Sequence, residues 1–144
     1  MHHFHGSCHC GNLEVDYHTT VAAEDSAVRA CQCSFCRKHD ARAISDSAGS
    51  IEITAHDQNL LERYRFGLAV LDFLFCRKCG VYVSAYTEED GEAYANVMVN
   101  VLDDRTRFPQ PNAVHLDGET KADKWQRHSE RWTPATLRIG TASN

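Results

Sequence analysis

Seven cysteines dominate the chemistry available to this 144-residue sequence, and they fall into three tight clusters. The clusters read Cys8-His9-Cys10-Gly11, Cys31-Gln32-Cys33-Ser34-Phe35-Cys36 and Cys76-Arg77-Lys78-Cys79-Gly80. The two cysteines of a Cys-x-Cys pair are poor disulfide partners for each other, because the bridge has demanding geometry. Cysteine clusters in a reducing compartment bind metal or do redox chemistry far more often than they form disulfides. The spacing therefore predicts thiolate ligands to a metal ion.

The first and last clusters each offer two sulfur ligands, and together they would complete one tetrahedral zinc site. A Cys-x-x-Cys turn directs two sulfurs at one ion, and a glycine after it lets the backbone curl so that N–H groups face the sulfurs. Gly80 fits this role, and Gly11 has the same position after the Cys-x-Cys pair. We therefore predict a closed, structural zinc site with four thiolate ligands, which are Cys8, Cys10, Cys76 and Cys79.

The middle cluster supplies three thiolates at short spacing, which are those of Cys31, Cys33 and Cys36. Catalytic zinc sites have three protein ligands and one exchangeable position, whereas structural sites fill all four. We therefore predict a second, open zinc site that could bind and polarise a water or a thiolate. The alternative is a closed site completed by a histidine, either the nearby His39 or, through the fold, His9 or His115. Iron–sulfur ligation is disfavoured because no cluster has four well-spaced cysteines.

Length and charge limit what else the protein could be. A chain of 144 residues is the size of one domain and can bury a core without help from disulfides. The formal net charge of -5 is spread without an acidic run, which disfavours nucleic acid and anionic membranes as partners. No apolar stretch approaches the ~20 residues of a membrane span, and the His-rich start lacks the apolar core of a secretory signal. We therefore expect a single cytoplasmic zinc-binding domain over residues 1–144.

Hydrophobic patterning predicts a mainly β chain. Residues 12–19 alternate apolar and polar side chains, as in a half-buried strand, and residues 70–75 form a nearly continuous apolar run. The predicted strands are 12–19, 28–33, 43–46, 51–54, 61–66, 70–75, 81–86, 93–101 and 113–116. Only residues 120–130 have helical character, and the tail from Thr133 is predicted to be weakly structured or a final edge strand. The pattern indicates mainly antiparallel sheets with little helix.

The three cysteine blocks resemble the glutathione-dependent formaldehyde-activating enzyme family, also called the centromere protein V family. The resemblance rests on Gly6-Ser7-Cys8-His9-Cys10-Gly11, on Cys31-Gln32-Cys33-Ser34-Phe35-Cys36-Arg37-Lys38 and on Phe75-Cys76-Arg77-Lys78-Cys79-Gly80. Their order and separation match those of the family. A looser C-terminal pattern is similar in residues 99–104, in residues 111–115 and in Lys124-Trp125. The similarity therefore covers nearly the whole chain.

The resemblance implies a fold, two zinc ions and an activity. The fold would be the β-tent, in which antiparallel sheets surround the structural zinc. The structural zinc would be held by Cys8, Cys10, Cys76 and Cys79, and the catalytic zinc by Cys31, Cys33 and Cys36. The activity would be that of a carbon–sulfur lyase, which interconverts S-hydroxymethylglutathione with glutathione and formaldehyde. A small-molecule thiol such as glutathione would then be the partner, and a homo-oligomer is conceivable.

Two other functions stay open at the level of sequence. In a non-catalytic binding module for a protein partner, both zinc ions would be structural, and related zinc proteins that bind small GTPases make such a partner conceivable. Metal storage or sensing is disfavoured because the cysteines form two separate sites. The sequence does not identify the proton donor that a lyase needs, although His39 is a nearby candidate.

Overall fold

The described part of this computed structural model comprises residues 1–115 and 118–140 and contains eleven β-strands, two α-helices and four short 3₁₀ helices. The strands are β1 (His2–Ser7), β2 (Leu13–Thr19), β3 (Arg29–Cys31), β4 (Ala43–Ile44), β5 (Ser50–Ala55), β6 (Leu61–Tyr64), β7 (Asp72–Cys76), β8 (Tyr82–Glu89), β9 (Glu92–Met98), β10 (Asn112–Val114) and β11 (Thr133–Ile139). The helices are α1 (Ser34–His39) and α2 (Lys121–Arg131). Neither helix is long and apolar enough to cross a membrane. The mainly β class predicted from the sequence is confirmed.

Within the described ranges, the strands form one mixed sheet. Its main path runs β1-β2-β5-β11-β9-β4-β3-β10, and β8 joins β9 to the β7–β6 pair. Most neighbours are antiparallel, as predicted, but β11 runs parallel to β5 and β10 runs parallel to β3. A parallel pair needs a long crossover connection, whereas a hairpin forces an antiparallel one. Both parallel pairs join strands that are distant in the sequence, so the local pattern could not reveal their direction.

The apolar and polar side chains that alternate along strand β2 place its apolar residues on one buried face. Leu13 and Val15 point inward and are 0% exposed. They lie opposite Ala55 and Ile53 of β5, which are equally buried. Complete burial of a side chain of this size stabilises the fold by roughly 1.5–3 kcal/mol. The β2–β5 pair therefore forms a rigid base for β1, which pairs with the other edge of β2.

The buried side chains form two cores, and each core contains predicted metal ligands. The larger core includes Cys8 and Cys76. The smaller core includes Cys36 together with Phe73 and Trp132. The two sets of cysteines are therefore fixed by different parts of the interior.

The ends of the chain depart from the expectation drawn from the sequence. The sequence does not predict β1, because three of its six positions are histidines. Its inward-facing Phe4 and Gly6 are nevertheless buried, and all six residues pair with β2. The tail forms a final strand, which is one of the two predicted alternatives, but the predicted edge position was wrong. Strand β11 lies inside the sheet between β5 and β9 and packs Ala135 and Leu137 against the larger core.

Several predicted boundaries shift by a few residues. Strand β9 ends at Met98, and Val99–Val101 form a 3₁₀ turn in place of the predicted last residues of the strand. Strand β10 spans Asn112–Val114, and Leu116, where the predicted strand ends, lies outside the described residues. Residues 141–144 of the predicted tail also lie outside them.

Helix α2 begins at the position that the sequence indicates. The Thr120 hydroxyl accepts a hydrogen bond from the Asp123 N–H, and the Asp123 carboxylate accepts one from the Thr120 N–H, both at 3.1 Å. This capping box satisfies two backbone donors that a helix start would otherwise leave unpaired. It fixes the start of a helix that carries Lys124 and Arg127 to the middle cysteine cluster.

Candidate metal centres and the adjoining cavity

Two hairpin turns bring the first and last cysteine clusters together. Cys8 and Cys10 lie in the turn between β1 and β2, while Cys76 and Cys79 lie at the turn between β7 and β8. The N–H of Cys8 donates to the carbonyl of Leu13 at 2.9 Å, which closes the first turn. The four ligand sulfurs lie within 4.8 Å of one another. The structure therefore groups the four cysteines that the sequence assigns to one site.

Both glycines of these turns have the curled backbone that the sequence predicts. Gly11 has a φ of 86° and Gly80 a φ of 79°, in the left-handed region that favours glycine. The Gly11 N–H donates to the Cys8 carbonyl at 3.1 Å, and the Gly80 N–H donates to the Cys76 carbonyl at 2.7 Å. A side chain at either position would strain the turn that directs its two sulfurs.

The spacing of the sulfurs suits a metal ion. The Cys10 sulfur lies 3.7 Å from the Cys8 sulfur and 3.5 Å from the Cys76 sulfur. Sulfurs bound to zinc at about 2.3 Å lie ~3.8 Å apart at the corners of a tetrahedron, whereas a disulfide holds them about 2.05 Å apart. All seven cysteines are free. The four thiols therefore fit a zinc ion, and the binding of zinc stays a prediction.

Burial and backbone hydrogen bonds act in opposite directions on these thiols. Burial raises the pKa of Cys8 to about 12, and burial also raises the pKa of Cys76. At Cys79 burial opposes ionisation, but N–H groups of Cys10 and Val81 outweigh it and lower the pKa to about 6. Thiols must lose their protons to bind metal, so metal binding here is coupled to proton release.

The middle cluster spans the end of β3 and the start of α1. Cys31 is the last residue of β3, Cys33 is the N-cap of α1, and Cys36 lies within the helix. The Cys33 sulfur accepts a hydrogen bond from the Cys36 N–H at 3.4 Å. The three sulfurs lie within 4.8 Å of one another. These cysteines could therefore hold a second metal ion, as the sequence predicts.

The three thiols of the middle cluster do not ionise alike. A hydrogen bond from Cys36 is the largest factor that lowers the pKa of Cys31 to about 5, and the charge of Lys124 acts in the same direction. The same interaction with Cys31, followed by burial, raises the pKa of Cys36. One thiolate therefore forms readily in this cluster before any metal is considered.

Helix α1, which the sequence does not predict, is anchored by Phe35. The helix has only six residues, so it contains no extended hydrophobic period. The Phe35 ring contacts five aromatic rings at centroid distances of 4.4 to 6.0 Å, which are those of His39, Tyr64, Phe66, Phe73 and Tyr82. This aromatic cluster holds Cys33 and Cys36 in place beside Cys31.

None of the predicted histidine candidates completes the middle cluster. Among the described residues, no other cysteine, histidine or carboxylate ligand atom joins the three sulfurs. His39 is exposed, and its ring contacts Phe35 and Tyr82. His9 lies in the turn of the other cluster, and His115 lines a cavity next to the middle cluster. The arrangement fits three protein ligands and an open position.

A cavity of about 340 Å³ adjoins the middle cluster. Cys31, Cys33 and Cys36 form part of its lining. Phe66, Leu68, Phe73 and Trp132 contribute an apolar wall, and His115 and Tyr82 also line it. Ligand pockets in proteins typically measure about 300–1,000 Å³ and combine such apolar walls with a few polar groups. The cavity is therefore large enough for a small organic ligand beside the three sulfurs.

Tyr82 and Arg29 are two polar residues of the cavity that sequence reasoning missed. Tyr82 is the first residue of β8 and is buried, and burial followed by the nearby thiolates raises its pKa well above the ordinary value. Arg29 begins β3, where burial followed by the charge of Arg127 lowers its pKa. No short motif marks either residue, because each reaches the cavity only through the sheet.

Fold and site together define a mainly β protein with two candidate thiolate metal centres, one of which opens to a cavity. Residues 3–117 match the family model of the glutathione-dependent formaldehyde-activating enzyme. The chain belongs to this family, which confirms the resemblance drawn from its cysteine blocks.

One solved structure is similar to this chain in sequence and in fold. It is a crystal structure of a Rhodobacter sphaeroides protein that was a structural genomics target, and the TM-score is 0.53 at 27% sequence identity. The match covers 83% of this chain and 94% of that one. No curated protein matches this chain.

Proposed function

We propose that the chain is a zinc-dependent carbon–sulfur lyase that acts on a thiol adduct, with S-hydroxymethylglutathione as the substrate that its family indicates. One observation carries the proposal. The three sulfurs of Cys31, Cys33 and Cys36 have no fourth ligand among the described residues, and they line a cavity of ligand size.

Two zinc sites with different tasks follow from the two donor sets. Cys8, Cys10, Cys76 and Cys79 would hold a structural ion, since four protein thiolates fill a tetrahedral shell. Cys31, Cys33 and Cys36 would hold the other, and zinc with three protein ligands can bind a sulfur and favour its thiolate form. The donor sets fit zinc because all seven ligands are sulfur.

The reaction needs one bond change and one proton transfer. During cleavage of the hydroxymethyl adduct, the carbon–sulfur bond breaks and its electron pair stays on sulfur. The hydroxyl oxygen forms the carbonyl of formaldehyde as its proton leaves. The reverse direction forms the carbon–sulfur bond and returns a proton to the oxygen. No oxidant or reductant is required, so the chain needs only to position the adduct and exchange a proton.

His115 and Tyr82 are the residues proposed to exchange a proton with, and donate a hydrogen bond to, the hydroxyl oxygen of the adduct. Both line the cavity that holds the three sulfurs. An imidazole can take up and release a proton near neutral pH, so His115 is assigned the proton exchange. Because its raised pKa keeps the Tyr82 hydroxyl protonated, Tyr82 can donate a hydrogen bond to the oxygen as charge develops there. His39, the candidate named from the sequence, lies outside the lining of this cavity.

The test is to replace zinc with cobalt and record the visible and near-ultraviolet spectrum during titration with glutathione. A saturable change in the ligand-field and thiolate bands is expected if a thiol enters an open position. Cys36→Ser should abolish turnover of the adduct and leave the far-ultraviolet circular dichroism unchanged. The matched control is Ser34→Ala, an exposed position on the same helix, which should behave as the wild type.

An unchanged spectrum at millimolar glutathione, together with full activity of the Cys36→Ser variant, would overturn the proposal. A closed metal shell and loss of folding in the same variant would favour the alternative, a non-catalytic binding module whose zinc ions are both structural.

A further inference from the structure

The outer face of β1 and β2 carries a row of histidines and carboxylates that contact one another. This row, here called the outer ladder, consists of His3 and His5 of β1, Glu14 and Asp16 of β2, and His56, which directly follows β5. Each of these side chains is half-buried or exposed. None of them lines the cavity beside the middle cysteine cluster, so the outer ladder is independent of the proposed reaction.

Asp16 fixes the ring of His5. The Oδ1 atom of Asp16 accepts hydrogen bonds from Nε2 of His3 at 2.9 Å and from Nδ1 of His5 at 3.1 Å. Because an ionised carboxylate only accepts hydrogen bonds, Nδ1 of His5 carries the proton of its bond, and Nε2 is the nitrogen that remains for a further partner. Metal-binding histidines are held in the same way, with one ring nitrogen on a carboxylate and the other on the ion.

Glu14 lies between Nε2 of His5 and the ring of His56. Its Oε1 atom lies 3.4 Å from Nε2 of His5, and its Oε2 atom is hydrogen-bonded to Nε2 of His56. Two ligand atoms bound to zinc at about 2.0–2.1 Å lie ~3.3 Å apart at the corners of a tetrahedron. The separation of Oε1 and Nε2 therefore fits two ligands of one ion. His56 is exposed, so a rotation of its side chain can bring its Nε2 to the same ion.

The charge of the outer ladder favours a cation. Among the described residues, Glu14 and Asp16 form ion pairs with histidines only. A neutral imidazole brings no positive charge, so the two carboxylates then keep negative charge that no lysine or arginine offsets. The hydrogen bond to Asp16 raises the pKa of His5, and the charges of Asp16, Glu14 and Asp103 act in the same direction. The same carboxylates attract a divalent ion, which would replace the proton at Nε2 of His5.

We propose that His5, Glu14 and His56 form a metal site, separate from the two cysteine centres, that binds zinc or a similar divalent transition ion. Asp16 is its positioning residue, since it holds the ring of His5 with Nε2 free for the ion. Two imidazoles and one carboxylate suit such an ion better than magnesium or calcium, which prefer oxygen ligands alone. The ion is held more weakly than by four thiolates, because the site has three protein ligands and one of them must rotate.

The experiment titrates the zinc-loaded protein with further Zn²⁺ and counts the bound ions per chain by equilibrium dialysis. The cysteine centres are filled first and loosely held zinc is removed, so that the added ions report on other ligands. The wild type is expected to bind one additional ion per chain. Co²⁺ added to the same zinc-loaded protein should bind without a near-ultraviolet thiolate band, because the proposed ligands contain no sulfur.

The variants assign the additional ion to its ligands. Asp16→Asn should weaken the binding about 10–100-fold, as for other partners that orient metal ligands, and should still bind one ion at saturation. His5→Gln, Glu14→Gln and His56→Gln each remove a ligand and should lose at least as much affinity. The matched control is His2→Gln, which removes an exposed histidine of β1 that lies outside the outer ladder. His56→Gln provides the test if changes within β1 or β2 impair folding, because His56 is exposed and follows β5.

An ion count that does not rise at millimolar Zn²⁺ would overturn the proposed site. An additional ion that both His5→Gln and His56→Gln retain, or that His2→Gln loses equally, would also overturn it, since other ligands would then hold the ion. A thiolate band from the added Co²⁺ would place that ion at the cysteines and have the same consequence. The lyase proposal stands or falls separately, because it depends on Cys31, Cys33 and Cys36.

Discussion

The imidazole of His128 lies against the indole of Trp132, with 3.9 Å between the ring centroids and 29° between their planes. His128 is 0% exposed, and neither of its ring nitrogens has a hydrogen-bond partner among the described residues. Trp132 lines the cavity, so His128 supports the cavity wall from behind. Burial, followed by the charges of Arg127 and Lys124, lowers the pKa of His128 to about 3.

The low pKa of His128 makes the fold sensitive to acid. Below pH 6.5, the ordinary pKa of histidine, His128 binds a proton in the unfolded chain but stays neutral in the folded chain. The free energy of unfolding therefore falls as the pH falls from 6.5 towards 3. The free energy of unfolding of His128→Phe, relative to that of the wild type, should therefore rise by about 1.4 kcal/mol when the pH is lowered from about 7.5 to about 5.5. Urea unfolding of the zinc-loaded proteins at the two pH values measures this difference.

The control for that comparison is His2→Phe, which removes an imidazole from an exposed position. His128→Leu serves as a second variant if the phenyl ring does not fit behind Trp132. Parallel pH dependence of the wild type and both His128 variants would show that the buried imidazole takes up a proton without unfolding.

A second pH effect is expected on the outer face of β1 and β2. His5 contacts the Asp16 carboxylate at 3.1 Å, and the hydrogen bond to Asp16 is the largest factor that raises the pKa of His5. At Asp16, burial opposes ionisation, but the bonds from His3 and His5 outweigh it and lower the pKa. The pKa shifts set the pH range of each contribution. The contribution of His5 to the stability of the folded protein is complete below pH 6.5 and is lost as the pH rises through the raised pKa of His5. The contribution of Asp16 to this stability is complete above pH 3.8 and is lost as the pH falls through the lowered pKa of Asp16.

His5→Gln should therefore destabilise the protein more at about pH 5.5 than at about pH 8.5. Both side chains are partly exposed, so the effect is expected to stay below about 1 kcal/mol and to shrink in high salt. Thermal unfolding measures it, and the same substitution in an Asp16→Asn background is the control. An equal loss of stability in both backgrounds would show that the ion pair is not its source.

The parts of the site that follow from local chemistry could be predicted from the sequence. Cys76, Cys79 and Gly80 form a turn within five residues, and the alternation in β2 is a local pattern as well. Strand β11 shows the limit, because it lies inside the sheet only through a parallel partner more than seventy residues earlier in the chain. Its position depends on long-range pairing that no window of the sequence contains.

The cavity could not be predicted for the same reason. Arg29, Tyr82, His115 and Lys124 come from separate segments, and the loose pattern that contains His115 and Lys124 does not reveal that they share a cavity. Helix α1 has six residues and is stabilised by the aromatic contacts of Phe35 with residues that lie far away in the sequence. The candidate ligand cysteines can therefore be predicted from the sequence. The cavity beside them cannot, because its lining residues come together only when the chain folds.

In β1, the strand that leads into the first candidate metal centre, Gly6 lies against Val101. A Cβ atom at this position would lie 2.2 Å from the Val101 carbonyl oxygen, so a side chain must push β1 away. Gly6→Ala is expected to lower the free energy of unfolding by about 1–3 kcal/mol. It should also speed the release of zinc to a chelator, because β1 leads into Cys8 and Cys10. The control is Gly91→Ala, where no atom lies within 4 Å and only the φ of 80° causes strain. Zinc release at the wild-type rate from Gly6→Ala would show that the turn is independent of β1.

The two cysteine groups should respond differently to loss of one ligand. Cys79→Ser removes a ligand from the group that joins two hairpin turns, so the midpoint of thermal unfolding should fall by on the order of 10 °C. Cys36→Ser should leave the midpoint much closer to that of the wild type while it removes activity. Calorimetry together with the zinc content per chain measures both effects. A larger loss of stability in Cys36→Ser than in Cys79→Ser would reverse the assignment of the structural and catalytic centres.

Tyr82 and His115 are expected to affect turnover in different ways. Tyr82→Phe removes a hydrogen-bond donor that stays protonated over the working pH range, so kcat should fall while the shape of the pH profile stays the same. His115→Gln removes the group proposed to exchange the proton, so kcat should fall by roughly 10²–10⁴-fold, the range that general acid–base groups contribute.

Steady-state kinetics across the pH range, with formaldehyde and glutathione measured separately, distinguishes the two roles. Both variants should still bind glutathione in the cobalt-substituted protein, because neither residue is a metal ligand. His39→Gln is the matched control, since His39 was the candidate named from the sequence and lies outside the lining of the cavity. If His39→Gln lost activity while His115→Gln kept it, the proton exchange would belong to His39, and His115 would lose the role proposed for it.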